Sequence, residues 1–284
     1  MDEIIEILHH SLIDTLKMLP FLFAVYLLIE YLEHKASNRL ADSLRRLGPL
    51  GPVGGALIGS IPQCGFSVAV SNLYSGRLVS LGTLMAVYIA TSDEAVPILI
   101  SNRAGAGKIW GLIAAKVIIA VVFGLAVDLF IRVFNKNKNE QKAPYHELCE
   151  GCGCEEHGIF RSALKHTVMI YLFLLLVTVC LNVLIHLLGE SRLNDILMAN
   201  SPLQPLIAAL IGLIPNCSAS VILTNLYANG SLSFGSAVAG LSTGAGLGLV
   251  VLYKTNKNIR QNVFITLLLY AFGAVSGLVI DLIL

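Results

Sequence analysis

Charge is scarce in this chain. Asp, Glu, Lys and Arg make up 13% of its 284 residues, against about 25% in soluble globular domains. The net charge is +1 and no Lys/Arg cluster stands out, so nucleic acid is not expected as a partner. The N-terminal stretch MDEIIEILHH is acidic and lacks a basic leader before the first apolar run, so no cleavable signal peptide is expected. No P-loop and no Ser/His/Asp arrangement is present, which argues against an ATPase engine or an enzyme of that type. The six cysteines fall three in one loop and three in apolar segments, a distribution unlike a disulfide framework.

Long apolar runs take the place of charge. Hydrophobic residues reach 56%, and the stretches 11–33, 78–100, 107–134, 162–188, 232–253 and 261–284 stand out. Each is near the roughly 20 residues that a membrane-spanning helix needs. The lipid bilayer is therefore an expected partner.

The chain also repeats itself. A shift of 153 positions carries PVGGALIGSIPQCGFSVAVSNLY, beginning at Pro52, onto PLIAALIGLIPNCSASVILTNLY, beginning at Pro205. The register holds without a gap through Ser80/Ser233, Gly82/Gly235, Gly124/Gly277 and Asp128/Asp281. Two homologous membrane halves, 1–134 and 161–284, are expected on either side of a linker at 135–160. In each half a first span (11–33; 162–188) leads through an amphipathic connector (36–48; 191–201) to a Pro/Cys segment and two further spans. Pro62, with Gly54, Gly55, Gly59 and Gly65 around it, predicts a helical hairpin or broken helix, not one continuous span. Repeated Pro/Gly-interrupted segments of this kind point to a transporter's binding site.

Basic residues set the orientation. With the N-terminus outside, the inner loops hold Lys35, Arg39, Arg45, Arg46, Arg132, Lys136, Lys138, Lys142, Arg161, Lys165, Lys254, Lys257 and Arg260. The outer loops hold Arg103, Lys108 and Arg192. This positive-inside bias requires an odd number of crossings per half, hence two inverted repeats with both termini external. Localisation in the cytoplasmic (inner) membrane follows as an expectation.

Three groups carry the candidate chemistry. Cys64 and Cys217 follow Pro62 and Pro215 at equivalent places and are expected to face one another near the midplane, where thiolates would bind a soft ion. Equally, membrane cysteines serve as small apolar residues. Asn72, Asn225, Ser67 and Ser220 lie just beyond, as oxygen ligands or as interhelical hydrogen bonds. Asp93 and Glu94, beside Thr91 and Ser92, break the symmetry, since Gly246 and Leu247 stand opposite. Intramembrane carboxylates normally handle ions or protons, unless the pair lies at a wet surface. The third group is the loop HELCEGCGCEEHG, where Cys149, Cys152, Cys154, His146 and His157 offer soft-metal spacing on the cytoplasmic side. Asp128 and Asp281 are expected to cap or anchor helices, and Lys17 and Lys116 to snorkel from helix ends.

The segment GSIPQCGFSVAVSNLYSGRLVSLGTLMAVYIATSDEAVPIL resembles the signature of the arsenical permease superfamily. The duplicated IPxC element and Cys-rich middle loop are most similar to its ten-transmembrane heavy-metal exporters, some of whose members carry the label manganese transporter. The resemblance implies ten membrane segments, five per half. The arsenical branch has an adjacent cysteine pair after the proline, whereas Gly65 and Phe66 follow Cys64 here.

The expectation is thus an all-α polytopic membrane protein, a proton-coupled exporter of arsenite or another soft metal species. It needs no cofactor beyond the transported ion, apart from a metal on the Cys/His loop, and a homo-oligomer is open. The alternatives are a manganese(II) exporter using Asn, Asp and Glu oxygens, and a membrane-anchored metal sensor or partner subunit. An intramembrane enzyme with Cys64 as nucleophile ranks below these. The orientation has a direct check: alkaline phosphatase fused after Leu284 should be active in intact cells, and a fluorescent-protein fusion there should stay dark.

Overall fold

The computed structural model describes residues 12–13, 16, 19–20, 23–24, 26–27, 50–62, 65–91, 95–102, 105–134, 159–188 and 203–283. All regular structure among them is helical. The first half contains α1 (Gly51–Gly59), α2 (Gly65–Ser75), α3 (Leu81–Ala90), α4 (Ala95–Ser101) and α5 (Ala106–Phe134). The second contains α6 (Ile159–Leu188), α7 (Gln204–Gly212), α8 (Cys217–Ala228), α9 (Phe234–Thr243), α10 (Leu247–Thr255) and α11 (Ile259–Ile283). The first span is described only at helical positions between 12 and 27, and both connectors lie outside the described residues. So does the linker 135–160, except for 159–160, which already belong to α6.

Five stretches among the described residues are long and apolar enough to cross a membrane: Leu81–Ser101, Gly107–Val133, Ala163–Cys180, Phe234–Thr255 and Ile259–Ile283. The protein is a multi-pass, all-helical membrane protein. Two of the five are interrupted, α3–α4 and α9–α10, and these sit inside: 67% and 83% of their apolar windows are buried. The three uninterrupted spans are only 29–33% buried. Their outer faces carry Trp110, Ile118, Val122 and Phe130 on α5 and Phe264, Leu267 and Val279 on α11, a surface suited to lipid. The Pro/Cys segments also break, into α1 and α2 and into α7 and α8. Nine residues at 1.5 Å each make α1 and α7 only about half a span long.

Glycine sets how closely the broken spans meet their supports. A Cβ on Gly82 of α3 would fall onto the Gly124 carbonyl and Asp128 carboxylate of α5. One on Gly235 of α9 would fall onto the Gly277 carbonyl and Asp281 carboxylate of α11. Pro52 and Pro205, in the first turns of α1 and α7, pack onto Gly124 and Gly277, so each half has a three-helix junction of small residues.

The conserved register of Asp128 and Asp281 now has a cause. Asp128 accepts from the Gly82 N–H at 2.8 Å and the Ser80 hydroxyl at 2.6 Å, while Ser80 itself accepts from the Thr83 N–H at 3.1 Å. Asp281 repeats this with Gly235 N–H at 2.8 Å and Ser233 at 2.6 Å, and Ser233 accepts from Ser236 N–H at 3.0 Å. Each carboxylate therefore caps the neighbouring helix, α3 or α9, not its own.

The halves embrace across the molecule. Helix α2 packs on α10 of the other half and α8 packs on α4, so each Pro/Cys helix rests on the far segment of the opposite broken span. Phe123 of α5 and Phe272 of α11 stack with ring centroids 4.2 Å apart.

Asp128 is buried and Asp281 is exposed. Thermal unfolding in detergent should therefore show Asp128→Ala losing about 1.5–3 kcal/mol, the worth of hydrogen bonds to a charged acceptor left unmade. Asp281→Ala, whose partners can turn to solvent, should lose clearly less.

Candidate functional site

Helix α7 ends at Gly212 and α8 begins at Cys217 because Pro215 has no N–H to continue the ladder. The intervening turn is tight: the Asn216 N–H donates to the Ile214 carbonyl at 2.7 Å. Asn216 is the extended N-cap of α8 and its side chain accepts from the Ser218 N–H at 3.4 Å. Cys217 is thus the first helical residue, a half-buried free thiol. Pro215 borders an apolar recess of about 560 Å³, lined also by Phe173, Leu249, Tyr253 and Lys254. The Lys254 ammonium lies 3.9 Å from the Phe173 ring centroid. In the first half Pro62 is exposed and α2 starts at Gly65, while Cys64 lies outside the described residues.

The two interruptions differ in sequence. Helix α3 ends at Ala90 and is followed by the buried C-cap Thr91, whose hydroxyl donates to the Val87 carbonyl at 2.7 Å. Ser92, Asp93 and Glu94 lie outside the described residues, and α4 opens at Ala95. Helix α9 ends at Thr243, and the chain turns through Gly244 and Ala245 to Gly246 at φ 54°, a left-handed conformation that glycine adopts without strain.

Ser67 on α2 lies against the start of α10, just past the second interruption. A Cβ on Gly248 would come within 2.7 Å of Ser67 backbone and Cβ atoms, so α2 and α10 touch through backbone. The Asn72 amide is buried, donates to the Val68 carbonyl at 3.2 Å and hydrogen-bonds the Tyr26 side chain. On α8, Ser220 is half-buried beside Gly244, and the Asn225 Oδ1 accepts from Asn102 Nδ2, just past α4, at 3.0 Å. The amide oxygen of Asn225 is thus engaged in a bond between the halves.

Three residues that sequence reading passed over or misplaced belong to this region. The Ser71 hydroxyl meets Tyr88 Oη at 2.6 Å and the Gly248 carbonyl at 2.8 Å, and Tyr88 reaches the same carbonyl at 3.1 Å. Lys116 does not snorkel from a helix end. It is fully buried, and its ammonium donates to the Thr91 carbonyl and, at 2.7 Å, to the Leu241 carbonyl. A signal was present: Lys116 lies well inside the apolar run 107–134, and the repeat places Leu269 opposite it.

Among the described residues no group of three or more His, Cys, Asp and Glu side chains comes together to hold a metal. The loop bearing His146, Cys149, Cys152, Cys154 and His157 lies outside them.

A multi-spanning bundle in which the helix after each Pro/Cys segment rests on an interrupted span of the other half has the form of a transporter. Over residues 2–188 and 173–284 the chain matches the family model described as "Putative, 10TM heavy-metal exporter". No curated protein and no solved structure matches it. Because the family model covers nearly the full length, this chain belongs to the ten-transmembrane heavy-metal exporter family.

Proposed function

We propose that this protein is a secondary active exporter of a soft heavy-metal or metalloid species in the cytoplasmic membrane, coupled to protons. The observation that carries the reading is the exchange of Pro/Cys helices, α2 onto α10 and α8 onto α4. It rests the helix that follows each Pro/Cys segment on an interrupted span of the other half, which supports the reading because transporters hold substrate near the midplane beside such discontinuous helices. Family membership supports export of a heavy metal at the coarse level.

In this proposal residues 1–134 and 161–284 form two inverted repeats, and 135–160 is a cytoplasmic loop. Cys64 and Cys217, each just after its proline break, supply thiolate ligands suited to soft ions. Cys217 at the start of α8 is accessible enough for this, being half-buried and free. Ser67 and Ser220 line the same breaks. Asp93 and Glu94, next to Thr91 and Ser92, exchange protons for the substrate, and the Cys/His loop captures the ion before it enters. Rocking of one repeat against the other then exposes the site outside.

The manganese(II) reading relies on Asn72 and Asn225 oxygens. Both amides already hold hydrogen bonds, to Val68 and Tyr26 and to Asn102. A metal on the Asn225 oxygen would have to displace or share the bond from Asn102, which favours thiolates over this amide as ligands.

The test is uptake into everted membrane vesicles under an imposed proton gradient, with manganese(II), zinc(II), cadmium(II), arsenite and methylarsenite. Cys64→Ser/Cys217→Ser should lower uptake of soft species by about tenfold or more, the scale on which altered metal environments act. Manganese uptake untouched by the serines would move the site to oxygen ligands. Binding without uptake of any species would replace transport by sensing. In the same vesicles Asp93→Asn/Glu94→Gln should abolish the dependence on the pH gradient, and an unchanged dependence would remove the carboxylates from coupling.

A further inference from the structure

An α-helix leaves its last four carbonyls without intrahelical partners. Water answers them at a protein surface, but inside a bilayer the protein must. Helix α3 stops at Ala90, so the Thr91 carbonyl lies past its last turn. Helix α9 stops at Thr243. Were α9 to continue, the Ala245 N–H would bond the Leu241 carbonyl. It turns instead to the Thr243 carbonyl at 2.8 Å. The carbonyls of Thr91 and Leu241 come from the interrupted spans of different halves, and both accept from the Lys116 ammonium. Each helix end also presents about half a negative elementary charge. A positive ion suits that place on two counts.

One residue beyond Leu241, the fully buried Ser242 hydroxyl has no hydrogen-bond partner among the described residues. It is a further oxygen at the end of α9. In membrane transporters, converging half-helix C-termini of this kind are where a free coupling cation is held. We propose that the Lys116 ammonium is a tethered cation, filling the position at the converging ends of α3 and α9 that a free monovalent cation would otherwise take. On the transport reading proposed above, the cycle would then need neither sodium nor potassium as a bound partner. The repeat explains why one lysine suffices. It serves both helix ends, so its counterpart Leu269 is a buried apolar residue.

The proposal concerns occupancy of this place and stands independently of which substrate moves. Thermal unfolding of the full chain in detergent tests it without transport. In N-methylglucamine chloride, Lys116→Ala should melt lower than wild type by roughly 5–10 °C, as expected when a buried charged partner is removed. Replacing N-methylglucamine by sodium, potassium or ammonium should restore at least half of that loss in one case, saturably. Wild type should not respond. Lys116→Met fills the space without a charge and should stay low in every salt.

A folded Lys116→Ala that ignores all three cations would overturn the proposal, and so would Lys116→Met melting like wild type. Should Lys116→Ala not fold, wild type still decides. Saturable stabilisation of wild type by sodium or potassium, or export from proteoliposomes that slows severalfold when both are withdrawn, would mean the place is open to a free ion. If wild type moves no species of the panel yet the melting pattern holds, the transport reading fails and this one stands.

Discussion

A backbone polar group at membrane depth must find its partner inside the protein, and in this fold that requirement falls hardest on two interrupted helices. Continuous spans satisfy themselves. Helices α3 and α9 end inside the bundle, so their ends need caps that other helices bring. Helix α5 supplies both for α3: Asp128 at the amino end and Lys116 at the carboxyl end. The signs match the helix dipole, acid at the positive end and base at the negative one. Twelve residues separate the two charges, about 18 Å along α5, close to the length of the ten-residue α3. Both caps belong to a stripe at every fourth position: Lys116, Ala120, Gly124 and Asp128.

The same stripe on α11 reads Leu269, Gly273, Gly277 and Asp281. Its acid repeats the cap on α9, and its glycines let α9 approach to backbone contact. The supporting frame is thus nearly twofold. Departures from that symmetry gather at the interruptions, where Lys116 faces no basic counterpart and Asp93 and Glu94 stand against Gly246 and Leu247. A scaffold tolerates symmetry, whereas directional movement of an ion calls for different groups along its path. On the proposed transport reading, the residues that differ between the halves stand where such groups would be needed.

Exchange of the Pro/Cys helices has a mechanical consequence. Because α2 rests on α10 and α8 on α4, neither half can shift its broken span without moving the other half's Pro/Cys helix. The Ser71–Tyr88–Gly248 node and the Asn102–Asn225 bond lie on these seams. Bonds of this kind within membranes are modest, about 0.6–2 kcal/mol each, so no one of them alone fixes the seam.

The sequence alone determined the membrane class, the duplication and the breaks at the Pro/Cys segments. Low charge, span-length apolar runs, a gapless 153-residue register and proline beside glycine are local properties, and each has a local physical effect. The capping role of Asp128 and Asp281 was legible only in part: their symmetry was visible, but the capped helix is a neighbour lying 46 positions away in the chain. Only the tertiary structure decided that the Pro/Cys helices cross between halves, that the asparagine amides are already engaged, and that Lys116 is buried. The reason is common to all three. A polar side chain in a membrane helix reads the same whether it reaches for the interface or for a carbonyl inside the protein. Its partner is a backbone group that carries no mark in the sequence and is exposed only because another helix stops beside it.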